Sequence, residues 1–438
     1  MKTAPLNIFQ RLVRHWDTVH PYNAAQVLKI RGPGNHLQVQ QAWHDTLAAL
    51  GLGPVCITGR RYRYESVNGD VAEHAVSALN GQTNLESYLT GELNRRFTSG
   101  ELPMRPFMLQ RDGYYYLGLV YQHWIADSVS IRLLLKEWFL RLYDHSESRR
   151  LPVIIPQGGY WKFFGPHRSR WRLGEQILTF LRANTQFRRV RKLQTLGSTD
   201  FSMQFALHRV PAGLIQRLLR AARAQGATLN DLFVAAMARV CDKHLPFRYS
   251  PQRQDMALGL IVDLRARSAA CLHDAFGLFL GFVSVICRRR DLYQWPRLVK
   301  AIAAQTKKQK HTDEARASVV WMCAALAASR FVPKRKTFRF YRKHMPLAGG
   351  ISNVNLNTCW AHRYHPDPLM EYIRVSPTGP MVPLVFTTTT LGEDFHFGLT
   401  YRRSLIADQT AQMIAGEFVQ HLQELADSRH EPGHRIQE

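Results

Sequence analysis

The chain has 438 residues, 45% hydrophobic and 11% aromatic, which supplies a large core and rules out a low-complexity disordered chain. Its 58 Lys and Arg against 33 Asp and Glu give a formal charge of +25, and such an excess implies acidic company: nucleic acid, an anionic membrane surface, or an acidic or phosphorylated partner. No G-x-x-x-x-G-K-[ST], G-x-G-x-x-G or G-x-S-x-G motif is present, which disfavours ATP hydrolysis, nicotinamide redox chemistry and serine hydrolysis.

In chain order, Met1 to Arg11 hold no sustained apolar stretch and no small-residue cleavage site, so no secretory leader is expected. Asn35 to Leu52 reads as an amphipathic helix, followed by a strand at Arg60 to Glu65. Tyr114 to Tyr121 (YYYLGLVY) is aromatic and apolar, bounded by Asp112-Gly113, and predicts a buried strand. A helix follows from about Val129, with Ile131, Leu134, Leu135, Trp138 and Leu142 on one face; Ser128 or Asp127 is available to cap it. Pro152 to about Thr199 reads as a connector carrying one or two basic amphipathic helices.

Beyond it come a strand at Phe205 to Val210 and a helix from Pro211 to Ala224. Thr228 to Asp231 is a capping-box signature ahead of a second helix. Strands are predicted at Met256 to Leu264, Leu280 to Cys287, Val385 to Thr390 and His396 to Tyr401. A basic helical stretch is expected at Arg297 to Lys343 and an amphipathic helix at Asp408 to Ala426. This alternation predicts an α/β protein of two lobes, residues 1–195 with the connector and residues 196–438.

The longest apolar run, Gly277 to Cys287, is much shorter than the ~20 residues that span a bilayer. The six cysteines (Cys56, Cys241, Cys271, Cys287, Cys323 and Cys359) show no C-x-x-C spacing and read as buried free thiols in a reducing cytoplasm. Cys359, His362 and His365 have metal-like spacing. They lack a second ligand pair and read as loop, so no metal is expected.

Gln122 to Ser128 (QHWIADS) stands where the Tyr114–Tyr121 strand hands over to the capped helix. A histidine at a rigid strand end projects into whatever cleft the turn faces, and a neutral imidazole suits proton transfer near pH 7. Asp127, at the helix start, is favoured by the helix dipole and can accept from an arginine.

An aromatic strand, His-x-x-x-Asp and a Leu-rich amphipathic helix together resemble the active-site segment of the chloramphenicol-acetyltransferase-like superfamily. Its members include peptide-synthetase condensation domains, wax-ester and diacylglycerol synthases, polyketide-associated acyltransferases and plant alcohol acyltransferases. The usual form is His-His-x-x-x-Asp-Gly with the second His catalytic; here Gln122 replaces the first His and Ser128 the Gly, while His123 and Asp127 match. Ala227 to Asp231, Val262 to Arg265, Phe276 to Val283, Ile351 to Val354 and Thr387 to Arg402 are similar to further segments of the superfamily, in the right order.

The resemblance implies two chloramphenicol-acetyltransferase-like lobes of mixed sheet and helices, with the active site in the channel between them. It implies an acyltransferase that moves an acyl group from a thioester to a hydroxyl or amine, with His123 as general base and no bound cofactor. The co-substrate is acyl-coenzyme A or a phosphopantetheine-carried acyl group on an acyl carrier protein. Asp127 is then structural, paired with an arginine, for which Arg265 is the candidate. Trp124, Ser352, Asn353 and Thr388 are candidates for contacting substrate. For Trp124 the plain alternative is a core aromatic, and for the Thr387–Thr390 run an exposed-edge strand.

The basic clusters, Lys162 to Lys192 and Arg297 to Lys343, read either as solvated helix faces or as docking for an acidic carrier protein. A peripheral membrane contact is a further option, since Trp161, Phe163, Phe164, Trp171, Phe180 and Phe187 interleave with arginines. The acceptor is then a small or lipid-like molecule. The expected protein is cytoplasmic and monomeric. The alternatives are a catalytically inactive recruitment module, left open by the missing first His, and a basic nucleic-acid-binding protein, for which no signature is present.

Overall fold

A computed structural model describes residues 3–67, 75–79, 81–98, 100–164, 174, 177–178, 181–182, 185–194, 200–268, 272–312, 314–333, 336–358, 360, 368–380 and 382–427. Part of the basic connector, including 165–173 and 195–199, therefore lies outside the described residues, as do Lys334, Arg335, Cys271 and the Cys359, His362 and His365 group.

The strands are β1 (Ala4–Pro5), β2 (Asn23–Arg31), β3 (Val55–Thr58), β4 (Arg61–Tyr64), β5 (Ser77–Leu79), β6 (Met104–Arg111) and β7 (Tyr114–Gln122) in the first half. The second half holds β8 (Met203–Arg209), β9 (Met256–Asp263), β10 (Leu280–Cys287), β11 (Leu347–Asn355), β12 (Leu369–Val375), β13 (Leu384–Leu391) and β14 (Asp394–Arg402). Two large mixed sheets result, with orders β12-β2-β7-β6-β5 and β10-β9-β11-β13-β14-β8, beside a small β1-β4-β3 sheet. This is the two-lobed α/β class expected from the sequence.

The first sheet is buried on both faces, which is why β7 reads as a continuous apolar and aromatic run. One face packs on the helices His36–Leu50 and Ser128–Tyr143 through Trp43, Leu47, Leu134 and Trp138. The other packs on Leu85–Asn94 through Leu89, Leu93 and Phe107. A β-carbon at Gly118 would lie 2.1 Å from the Phe107 ring, so only glycine fits there. Asp112-Gly113 makes the β6–β7 turn, with Gly113 at φ 74°, a conformation that favours glycine.

The second sheet carries the helices Leu214–Ala224, Leu229–His244 and Asp408–Asp427 around Phe233, Phe386, Phe397 and Phe418. The Thr228 and Asp231 capping box opens the second of these as expected. The basic stretch is three helices, Trp295–His311, Glu314–Ser329 and Thr337–His344. Lys307, Lys308 and Lys310 are solvent-exposed on the first. Of the described cysteines, Cys241 and Cys287 are buried, Cys56 is half-buried and Cys323 is exposed, correcting the expectation of uniformly buried thiols.

Two features join the lobes. After β11 the chain adds β12 antiparallel to the edge of β2, pairing Leu369 with Ile30 and Val375 with Ala25, then returns for β13 and β14. A strand of the second half thus belongs to the first sheet. In return, the free edge of β8 is covered from the first lobe: Met203 N–H donates to Asn94 Oδ1 at 2.8 Å, Phe205 N–H to Thr90 Oγ1 at 3.1 Å and Leu207 N–H to Glu86 Oε2 at 3.2 Å. Alternate strand amides are satisfied by one helix face, which removes an edge that would otherwise template aggregation.

Candidate active site

His123 follows β7 directly. Its backbone N–H donates to Tyr22 C=O at 3.0 Å, and its ring stacks on Tyr22 with centroids 5.7 Å apart and planes at 18°. The imidazole Nδ1 lies 3.2 Å from Ala126 C=O. A carbonyl only accepts, so this bond selects the tautomer with hydrogen on Nδ1 and leaves Nε2 as the basic nitrogen. Burial, with a smaller contribution from Arg374, holds His123 below the usual imidazole range, against the opposing pull of Ala126 and Asp127. The ring is neutral at neutral pH, the state a general base needs.

The turn is fixed by Asp127, fully buried as the N-cap of Ser128–Tyr143. Its Oδ1 accepts from Val129 N–H at 3.1 Å and Ser130 N–H at 3.0 Å, satisfying donors that a helix start leaves unpaired. Arg265 Nη1 donates to Oδ2 at 2.8 Å and Nη2 to Oδ1 at 2.9 Å, and Phe279 N–H donates to Oδ2 at 2.8 Å. Burial alone would raise Asp127, but the Arg265 guanidinium and these backbone donors hold it below the ordinary carboxylate range. Asp127 N–H in turn donates to Gly277 C=O at 2.9 Å. The carboxylate therefore ties the helix to the 265–279 segment of the other lobe.

His123 opens onto a cavity of about 210 Å³ between the sheets. Phe9, Trp16 and Tyr22 form part of its apolar wall, and Ser352, Asn353 and Arg374 bring polar groups. Neither Asp127 nor Arg265 lines it. Among the described residues no group of three or more His, Cys, Asp or Glu could hold a metal ion, and no helix is long and apolar enough to cross a membrane.

The substrate-contact candidates divide. Ser352 and Asn353, on β11, line the cavity. Trp124 does not: it is buried in the core against Tyr62, with Nε1 donating to Gln122 Oε1 at 3.0 Å. Thr388 is not among the lining residues: it sits beside Asn353 on the neighbouring strand β13, fully buried, its hydroxyl donating to Asn353 Oδ1 at 2.9 Å. The Thr387–Thr390 run is not an exposed edge, because β13 is paired on both sides by β11 and β14.

Arg374, on β12, was missed by the motif reading. Its Nε donates to Ser128 Oγ at 3.2 Å, Nη1 to Ser352 C=O at 3.2 Å and Thr388 C=O at 3.3 Å, and Nη2 to Ser352 Oγ at 2.7 Å. A charged residue among the apolar Tyr372, Ile373 and Val375 was the available signal. Gln26 is the second omission: its Nε2 donates to Ser128 Oγ at 3.1 Å. Ser128, where the superfamily's usual motif has glycine, thus accepts from Gln26 and Arg374, cross-strand partners on β2 and β12 of the first sheet.

No family model matches the sequence, and no curated protein matches it. Solved structures do. The condensation domain of the monacolin K polyketide synthase MokA aligns with TM-score 0.66 at 10% identity, over 97% of this chain and 98% of that one. The first condensation domain of the calcium-dependent antibiotic synthetase, in complex with a substrate analogue, aligns with TM-score 0.66 at 15% identity, over 98% of each chain. The X-domain of teicoplanin biosynthesis, in complex with OxyB, aligns with TM-score 0.61 at 14% identity, over 98% of this chain and 94% of that one. The chain has the fold of condensation domains, that of the chloramphenicol-acetyltransferase-like superfamily.

Proposed function

We propose that the protein is an acyltransferase that moves an acyl group from a thioester to a hydroxyl or amine acceptor, with His123 as general base. The observation that carries this reading is His123 itself: a neutral imidazole, its Nδ1 tied to Ala126, on the wall of a mostly apolar cavity between two condensation-type lobes. In this mechanism His123 Nε2 takes the proton of the acceptor O–H or N–H as the acceptor attacks the thioester carbonyl. The tetrahedral intermediate collapses to an ester or amide, and the departing thiolate takes the proton from the imidazolium. No acyl-enzyme and no resident cofactor are required.

Asn353 is the proposed hydrogen-bond donor to the oxyanion. Its Oδ1 is occupied by the Thr388 hydroxyl, which directs the amide hydrogens elsewhere. Ser352 is the second polar wall group, while Asp127 and Arg265 hold the turn. The proposed donor is an acyl-coenzyme A or an acidic acyl carrier protein, steered by the +25 charge. The proposed setting is cytoplasmic, as a monomer with optional contact to an anionic membrane.

The test is thiol release from a panel of acyl thioesters with hydroxyl and amine acceptors. Loss of a general base lowers turnover ~10²–10⁴-fold, so His123→Ala is expected to lose transfer while unfolding at the wild-type temperature. A second reading is recruitment without catalysis, favoured by Gln122 in place of the first His of the usual motif and by the likeness to an X-domain in complex with OxyB. Wild-type protein that releases no thiol beyond the His123→Ala background, across the panel, sinks the acyltransferase reading in favour of recruitment.

A further inference from the structure

Beside the candidate active site, and separated from it by Trp16 and Tyr22, is a second and much smaller space of about 10 Å³. Trp16 and Tyr22 line both. Besides His20, its polar wall holds three side chains on three segments: Arg402 at the end of β14, Thr378 after β12, and Thr337 at the start of Thr337–His344. They are 2%, 1% and 1% exposed. Arg402 Nε, Thr378 Oγ1 and Thr337 Oγ1 are all buried with no hydrogen-bond partner. Three unmade hydrogen bonds around one small space are costly, since each buried unsatisfied polar group loses about 1–3 kcal/mol.

The surroundings set the sign of the missing partner. The rest of the Arg402 guanidinium is clamped, Nη1 donating to Phe201 C=O at 2.7 Å and Nη2 to Thr378 C=O at 2.8 Å and Gly379 C=O at 3.3 Å. It stacks over Phe338 at 4.4 Å. Among the described residues no carboxylate makes an ion pair with it; burial and Arg342 disfavour its charge, against the weaker pull of Tyr22 and Asp200. His20, on the same wall, is held neutral by burial and by Arg402, down to about 4. The first turn of Thr337–His344 has no side-chain cap and no acidic residue, so its partial positive charge adds to that of Arg402. A buried guanidinium is stable only when it is paired.

We propose that this pocket is a binding site for a single halide-sized monovalent anion, such as chloride, held by Arg402 Nε–H and the Thr337 and Thr378 hydroxyls. At about 10 Å³ the space holds a single small particle and is too small for a phosphate or carboxylate; a chloride, somewhat larger than a water, seats there with a slight outward shift of the lining side chains. A water could bridge the same atoms but would leave the buried charge uncompensated. The anion joins β14, the segment after β12 and the helix Thr337–His344 behind Tyr22, the residue on which His123 stacks.

The site is tested without reference to catalysis. Thermal unfolding is followed in sodium chloride and in sodium gluconate at equal ionic strength, which removes general screening. Wild type is expected to gain a saturable ~1–2 °C in chloride, from ligand linkage in a protein of this size, and sodium phosphate is expected to give no such gain. The near-isosteric Thr337→Val with Thr378→Val preserves shape, and Arg402→Met removes the charge; each is expected to abolish the chloride increment. Bromide-soaked crystals are expected to show an anomalous peak in the pocket. Equal melting of wild type in the two salts, an unchanged chloride increment in the double valine variant, or an ordered water with no bromide in the pocket overturns the proposal.

Discussion

Arg265 and Asp127 meet through two N–H···O bonds of 2.8 and 2.9 Å across 138 residues of chain. Removing one partner of a buried pair strands the other, at a cost of ~3–5 kcal/mol. Arg265→Leu is therefore expected to lower stability by that order in urea unfolding. Replacing both residues with apolar ones often restores stability, but here Asp127 also accepts from the amides of Val129, Ser130 and Phe279. Asp127→Leu combined with Arg265→Met is accordingly expected to stay well below wild type. Full recovery in the double variant would show that the carboxylate does no more than neutralise the arginine.

The pH dependence of acyl transfer follows from His123. A base works when neutral, so activity falls as pH drops through its pKa, which burial and Arg374 place below the usual imidazole value of about 6.5. The acid limb of kcat/KM is expected below that value. Arg374→Met removes a positive charge that disfavours the imidazolium, so the limb is expected to move to higher pH. A limb that stays put or moves to lower pH in this variant rules out the electrostatic link.

Gly277 has φ 153°, and its carbonyl accepts from both Asp127 N–H at 2.9 Å and Ser130 Oγ at 2.9 Å. A β-carbon there would lie 3.0 Å from the Phe279 ring. Gly277→Ala therefore combines backbone strain with crowding, each worth ~1–3 kcal/mol. The expected outcome is a lower melting temperature together with reduced kcat, because the carbonyl that shifts is bonded to the residue that sets the His123 turn. A stability loss with unchanged kcat would separate Gly277 from the site.

What could be read from the sequence was local. The hand-over from an aromatic strand to a capped helix places His123 and Asp127 within a few residues, and the ordered segments supply Arg265, Ser352 and Asn353 as candidates. What could not be read was long-range. No strand is read from the sequence at Leu369 to Val375, and nothing in that stretch says that it forms β12 and leaves its own half to pair with β2. With β12 unplaced, Arg374 had no address, although it links Ser128, Ser352 and Thr388. Trp124 shows the converse limit: adjacency to His123 in sequence is not adjacency in the cavity, because successive positions at a strand end point to opposite sides. The Thr387–Thr390 run misled for a related reason, since composition does not reveal that both neighbours of β13 are already in place.

Thr388 offers the sharpest check on how the cavity wall works. Its hydroxyl donates to Asn353 Oδ1 at 2.9 Å, while its own contact with Arg374 is through backbone C=O and survives side-chain substitution. Thr388→Val therefore removes one hydrogen bond, worth ~0.5–1.5 kcal/mol, and frees the Asn353 amide to rotate. If Asn353 donates to the oxyanion, Asn353→Ala is expected to lower kcat ~10²–10³-fold, with Thr388→Val showing a smaller fall in kcat and little change in KM. The two act in series, so Thr388→Val is expected to add nothing in an Asn353→Ala background. Multiplicative losses in the double variant would mean that Thr388 acts on the cavity by a route other than Asn353, and equal KM increases in both single variants would assign the pair to ground-state binding.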